Sequence, residues 1–217
     1  MNEPSRLLAL AGRGLLPFEL LHGEPLYLHA LRALNEALPG PCLVSTPGEQ
    51  VDRVVAEVRS AGLSADVSAD DEWWSRVTAE SGRARDLLVH DPLCPLTSPD
   101  FLRSVALGGE RGCARVAFRP VTDTVKRVVD GRIVGTIDRE GLAALTSPLL
   151  LPAEMIEAAI GAGAMPPLDD LAELVTWARA RGTVELVKAP SLARRVDDPS
   201  AVNLLECVDE MTRRTRT

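Results

Sequence analysis

Lysine is almost missing from this sequence. Of 24 basic residues only Lys126 and Lys188 are lysines, and the arginines are scattered rather than run together. With 31 acidic residues the formal charge is -7. A chain without a clustered basic stripe cannot displace the counterions of a phosphate backbone, so nucleic-acid binding is excluded as its main role. Aromatic residues make up only 3% of the chain, which leaves the core to Leu, Val, Ala and Ile. Cys42, Cys94, Cys113 and Cys207 stand far apart with no CxxC pair. That spacing offers neither a zinc site nor a disulfide framework and reads as reduced thiols. Long apolar runs are missing too: nothing approaches the roughly 18 residues that span a bilayer, and Met1-Asn2-Glu3-Pro4-Ser5 is no basic leader. The expectation is a cytoplasmic protein without a membrane span.

What remains is ordinary globular composition, 46% hydrophobic and 25% charged over 217 residues, enough for one large domain, read here as residues 1–217. The run from Arg6 to Ala11 stops at Gly12-Arg13-Gly14 and reads as a buried parallel strand feeding a turn. Leu28, Leu31, Leu34 and Leu38 form a helical stripe ended by Pro39-Gly40-Pro41. Strand and helix then alternate: a strand from Cys42 to Val44, a helix from Val51 to Ala61, a strand from Ala65 to Val67, a helix from Trp73 to Glu80, and a central strand through Leu87-Leu88-Val89. This order implies βαβ units and a mostly parallel sheet. From Ala114 the pattern turns β-rich, and Asp130-Gly131 between two apolar runs signals a hairpin, so a β-arm at about 120–148 projects from the body. Helices over Pro152 to Ile160, Leu168 to Arg181 and Pro199 to Arg213, with a strand from Thr183 to Val187, complete the chain.

Open α/β sheets take ligands beyond the carboxyl ends of their strands. Two such ends carry informative residues. Leu10-Ala11-Gly12-Arg13-Gly14 is a glycine-rich turn, read either as a phosphate cradle or as a plain tight turn with an exposed arginine. His90-Asp91-Pro92-Leu93-Cys94-Pro95 follows the central strand. Asp91 is a candidate metal-orienting carboxylate or a turn cap, and His90 a satisfied core residue. Trp73 and Trp74 read as packing residues.

The segment from His90 to Pro95, the stretch Pro120-Val121-Thr122-Asp123-Thr124-Val125-Lys126-Arg127, the stretch Thr136 to Leu142, Ser147-Pro148, Asp169-Asp170 and Arg195-Val196-Asp197-Asp198-Pro199 occur in one order. Taken together they resemble the 2-C-methyl-D-erythritol 4-phosphate cytidylyltransferases along essentially the whole chain. The resemblance implies a three-layer α/β/α Rossmann-like nucleotidyltransferase fold. It implies a reaction in which an erythritol phosphate oxygen attacks the α-phosphorus of CTP and pyrophosphate departs. Mg²⁺ would sit near Asp91. Asp91, Lys126, Arg139 and Arg195 carry over as catalytic residues; Ala11, Gly12, Arg13, Gly14, Asp123, Thr124 and Ser147 line the nucleotide and phosphate site. The β-arm would clasp a second subunit, giving a homodimer in which each chain helps complete the other's pocket.

The chain also departs from the family pattern. Gly14-Leu15-Leu16-Pro17-Phe18 closes the loop early, with a leucine and Phe18 where the family has an arginine and a lysine, and Cys94 stands for a further arginine. Transfer of phosphoryl groups depends on cations and oriented N–H groups. Two readings therefore stay open: a Mg²⁺-dependent cytidylyltransferase acting on CTP, or another nucleoside triphosphate, and a polyol or sugar phosphate; and a catalytically silent homologue acting as a binding or interaction protein, including as partner of an active paralogue.

Overall fold

The computed structural model describes residues 3–70, 72–79, 85–168 and 170–215. Strand β1 (Ser5–Ala9) pairs in parallel with β4 (Cys42–Thr46) on one side and with β6 (Leu87–His90) on the other. Between β1 and β4 a two-residue hairpin of β2 (Leu20–Leu21) and β3 (Glu24–Pro25) leads into helix α1 (Leu26–Ala37). Strand β5 (Ala65–Ala69) extends the sheet beyond β4. On the far side come β7 (Ala114–Pro120), β10 (Ala143–Leu151) and β11 (Val184–Lys188), and β8 (Val125–Val129) with β9 (Arg132–Ile137) forms a separate two-stranded arm. The central sheet is seven-stranded, in the order β11-β7-β10-β6-β1-β4-β5.

The remaining helices are α2 (Val51–Ser60), α3 (Trp73–Ala79), α4 (Pro99–Leu107), α5 (Ala153–Ala162), α6 (Leu171–Arg179) and α7 (Pro199–Thr215). Successive residues of a strand face opposite sides of its sheet, and β1 shows how this makes three layers. Leu8 and Leu10 pack with Leu31 and Leu34 of α1, Val54 of α2 and Leu102 of α4. Leu7 and Ala9 pack with Trp73 of α3, Met155 and Ile156 of α5 and Leu174 of α6. Trp73 is thus a core residue.

Two features differ from the sequence reading. Strand β10 runs antiparallel between β6 and β7 and belongs to the central sheet, so the projecting arm is the hairpin β8–β9 and not the whole of 120–148. Pro148 hides this strand in the sequence, because proline cannot donate to a ladder. A register shift between Thr146 and Leu149 accommodates it. Helix α4 was not anticipated; Ser98 caps it by accepting the Phe101 N–H, and Pro99 sits at its first turn.

At the amino end of the sheet two buried arginines tie down helix ends, beside open clefts lined by Arg6 and Gly40 and by Gly108 and Arg115. The buried Arg6 guanidinium donates to the carbonyls of Leu34, Leu38 and Gly40 at the end of α1, and buried Arg115 donates at 3.4 Å to the Ser104 carbonyl near the end of α4. Each supplies charge to a helix C-terminus with orphan carbonyls.

Candidate functional site

Strand β6 is buried along its length and ends in His90, followed by Asp91 with only 6% exposure. The antiparallel register of β10 on β6, with Leu149 opposite Val89, brings Ser147 beside this end. The Ser147 hydroxyl accepts the Asp91 backbone N–H at 2.7 Å and lies 2.7 Å from His90 Nδ1. An oxygen that accepts from Asp91 still has its own proton to give to His90 Nδ1, while His90 Nε2 is buried without a hydrogen-bond partner among the described residues. Burial pushes the His90 pKa down to about 4, against the nearby Asp91 charge. His90 is therefore a neutral core residue, but not the satisfied one the sequence reading expects, since its partner is the Ser147 side chain and its Nε2 has none.

Asp91 is clamped from two sides. Its Oδ1 accepts from Arg13 Nε at 2.8 Å and from the Leu93 N–H at 3.0 Å, and its Oδ2 accepts from Arg195 Nε at 3.1 Å. Burial alone would raise the carboxyl, yet the Arg13 guanidinium, the Leu93 N–H and the Arg195 charge hold it below the usual carboxylate range.

Arg13 is not the exposed turn arginine that one reading of the loop allowed. Its side chain is 6% exposed. Gly12 and Gly14 take φ values of 70° and 56°, which lets the backbone fold back so that Arg13 Nη1 reaches the Ala11 carbonyl at 2.6 Å and Nη2 reaches the Leu168 carbonyl at 3.1 Å. Arg195 is aimed by its own segment: the Val196 N–H donates to the Leu93 carbonyl at 2.7 Å, Thr146 Oγ1 donates to the Ala193 carbonyl at 2.9 Å, and Arg195 Nη1 donates to Asp197. Asp198 then caps α7 through the N–H groups of Ser200 and Ala201.

The other sequence candidates divide. Arg13, Ser147 and Arg195 bond Asp91 directly, and Ala11 joins them through Arg13, which Gly12 and Gly14 flank. Asp123, Thr124, Lys126 and Arg139 are exposed at or near the arm; Lys126 Nζ donates to Thr136 Oγ1 at 2.7 Å and Arg139 donates to the Thr122 carbonyl, with neither side chain bonded to Asp91. Cys94 is buried beside Thr146 Oγ1 at 3.4 Å, and burial pushes its thiol up to about 12. Phe18 turns away from the crevice, edge-on to Tyr27 at 5.5 Å and under the Arg53 guanidinium at 4.3 Å. The crevice beside Asp91 is filled by arginines, not by phenylalanine. Asp170 caps α6 through the Ala172 and Glu173 N–H groups, whereas Asp169 lies outside the described residues.

The donor set can be tested against a metal. Asp91 has both carboxylate oxygens engaged, and no group of three or more His, Cys, Asp or Glu side chains among the described residues is placed to hold an ion. As arranged, these residues do not fit a protein-held Mg²⁺. Of the two guanidinium groups that converge on Asp91, Arg13 spends Nε, Nη1 and Nη2 on Asp91, Ala11 and Leu168, whereas Arg195, with a side chain 36% exposed, is the one placed to meet an anion from solvent.

Known proteins match this chain over most of its length. A cytidylyltransferase from Symbiobacterium thermophilum is 30% identical over 141 residues, 63% of this chain and 60% of that protein; one from Bacillus licheniformis is 42% identical over 69 residues, 31% of this chain and 29% of that protein. The matched stretch thus falls short of two thirds of these relatives. Among solved structures, the cytidylyltransferase of Thermus thermophilus superposes with a TM-score of 0.73 at 22% identity, covering 96% of this chain and 100% of the other. The synthase from Anaerococcus prevotii gives 0.74 at 14% identity, covering 96% of each. These two likenesses fix the fold as the α/β nucleotidyltransferase fold. The family model for IspD, 2-C-methyl-D-erythritol 4-phosphate cytidylyltransferase, matches residues 46–207, and this chain belongs to that family.

Proposed function

We propose that this protein transfers a cytidylyl group from CTP to 2-C-methyl-D-erythritol 4-phosphate, in isoprenoid biosynthesis in the cytoplasm, with residues 1–217 acting as one nucleotidyltransferase unit. A phosphate oxygen of the acceptor attacks the α-phosphorus of CTP, a new P–O bond forms, and the bond to pyrophosphate breaks. The observation that carries the reading is the pair Arg13 and Arg195 converging on Asp91; Asp91 and Arg195 lie within the span 46–207 that matches the family, and Arg13 precedes it.

The residues divide the work. Arg13, Arg195 and the N–H groups of the Ala11 to Gly14 turn neutralise and orient the triphosphate. Asp91 aims both arginines, and Ser147 with His90 fixes the backbone of Asp91. Guanidinium groups in a site that excludes water stabilise developing charge far better than in solution. Mg²⁺ would come to this site with the triphosphate, whose charge it would help neutralise, and not be held beforehand by Asp91.

Asp123, Thr124, Lys126 and Arg139 complete the pocket of a second copy. The support is the arm itself: Val128, Val129, Ile133 and Val134 are all more than half exposed, an apolar hairpin without cover in one chain, which suits a homodimer.

Pyrophosphate release with CTP and the erythritol phosphate, compared with ATP, GTP and UTP, tests the reading. CTP-dependent turnover lost in Arg195→Ala supports it. CTP binding without pyrophosphate release replaces it with the silent homologue.

A further inference from the structure

A carboxylate has about four lone-pair directions. At Asp91 three are taken: Arg13 Nε and the Leu93 N–H on Oδ1, and Arg195 Nε on Oδ2. Neither arginine hangs on Asp91 alone. Arg13 is tied to the carbonyls of Ala11 and Leu168, and Arg195 to Asp197. The remaining direction lies on the oxygen that Arg195 already holds. Asp197, the other carboxylate at hand, is turned onto Arg195; Ser147, Thr146 and His90 Nδ1 are committed to one another or to backbone, and of these groups only His90 Nε2, fully buried, is without a partner among the described residues.

A divalent cation reaching Asp91 would meet two fixed positive charges where the carboxylate is 6% exposed and screening is weak. It would also have to shed water that Mg²⁺ gives up reluctantly. A phosphate group faces the opposite balance. It competes with Asp91 for the guanidinium groups, and drawing off Arg195 frees Oδ2, whereas Oδ1 without Arg13 still holds the Leu93 N–H.

We infer that Arg13 and Arg195 stand in the place of a cation at Asp91, so that the nucleotide-free protein takes no divalent metal there, and that a polyphosphate is the ligand that opens the clamp. The second half rests on the proposed function; the first does not.

Mn²⁺ is the probe, followed by the loss of its free electron-spin resonance signal and by water-proton relaxation on the intact, nucleotide-free chain. The wild type is expected to show no Mn²⁺ site that depends on Asp91. Arg13→Ala and Arg195→Ala should each create one, at least about tenfold tighter than any wild-type binding, and Asp91→Asn added to either should remove it. Arg195 is the more exposed of the two arginines, so Arg195→Ala keeps the test available should Arg13→Ala fail to fold. A wild-type Mn²⁺ site abolished by Asp91→Asn, or no gain in Arg195→Ala, overturns the metal half.

Calorimetry with inorganic tripolyphosphate and with CTP in EDTA tests the other half. Metal-free binding of either, weakened in Arg13→Ala or Arg195→Ala, is the expected result. Binding of neither overturns the polyphosphate half and the functional reading together, and leaves the metal half standing on the Mn²⁺ data. CTP binding that appears only with metal overturns the polyphosphate half while the functional reading survives.

Discussion

The hydroxyl of Ser147 lies 2.7 Å from His90 Nδ1, and this one oxygen also accepts the backbone N–H of Asp91. It thereby couples a buried imidazole to the backbone that carries the clamped carboxylate. Ser147→Ala leaves both a buried N–H and a ring nitrogen without their partner. The expected loss is about 1–3 kcal/mol of unfolding free energy, the penalty of a buried unsatisfied group, read as a lowered urea midpoint at unchanged slope. Loss of less than about 0.5 kcal/mol would place Ser147 among ordinary substitutions and remove its positioning role.

His90 makes stability depend on pH. Its folded pKa is held at about 4, below the ordinary 6.5, so the unfolded chain binds the proton more readily. The contribution is fully present above pH 6.5, falls as the pH drops, and levels off below about 4. A shift of this size corresponds to about 3 kcal/mol over the whole window. Urea unfolding at pH 7.5 and pH 5 should show the slope in the wild type and a flatter dependence in His90→Gln. The Asp91 carboxyl, held below the usual range, has the same sign but acts in a more acidic window, so the two are separable.

How much of this was legible in the sequence depends on the range of the interactions. Periodicity exposed the α/β alternation because Leu28, Leu31 and Leu34 need only each other to mark a helix face. It missed β10, since Pro148 breaks the ladder that Leu149, Leu150 and Leu151 then continue. The strand-end rule pointed to Asp91 and to the Gly12 turn, and the carboxylate is there. The pairing of Arg13 with Asp91 was not legible, for it joins residues 78 positions apart, and nothing local in Gly-Arg-Gly distinguishes an arginine bound for solvent from one bound for a buried carboxylate. Arg195 came through resemblance alone, 104 positions from its partner.

Asp91→Ala strands Arg13, whose side chain is 6% exposed, as an uncompensated buried charge. Removal of one member of such a pair costs about 3–5 kcal/mol. Asp91→Ala combined with Arg13→Ala is expected to be less damaging than the sum of the single changes, with a coupling energy of at least about 1 kcal/mol from denaturant unfolding. Additive losses would mean that the two residues do not act as a pair.

The thiols should react in two classes. Burial pushes Cys42 and Cys94 up to about 12, which leaves almost no thiolate at neutral pH, and both are shielded from reagent. Cys207 is exposed on α7. A chromogenic disulfide reagent on the native protein should therefore modify Cys207 first and Cys113 more slowly, with Cys42 and Cys94 following only on unfolding. Fast modification of Cys94 in the Cys207→Ser variant would contradict its place under Thr146.

The arm offers the test of assembly. Asp130 and Gly131 both adopt positive φ, 47° and 73°, the geometry of a tight two-residue hairpin turn, and the hairpin sets Val128 opposite Ile133. Both are exposed in one chain. Ile133→Lys adds a charge to that face while removing no contact with the central sheet, so thermal stability at concentrations where the chain is monomeric should change by less than about 0.5 kcal/mol. If the arm pairs two copies, light scattering after size exclusion should give a dimer mass for the wild type and a monomer mass for Ile133→Lys, with turnover falling alongside as Lys126 and Arg139 lose the pocket they complete. A wild-type monomer, or a variant that stays dimeric, removes the arm from assembly. Full turnover in a monomeric variant would return Lys126 and Arg139 to the chain's own surface.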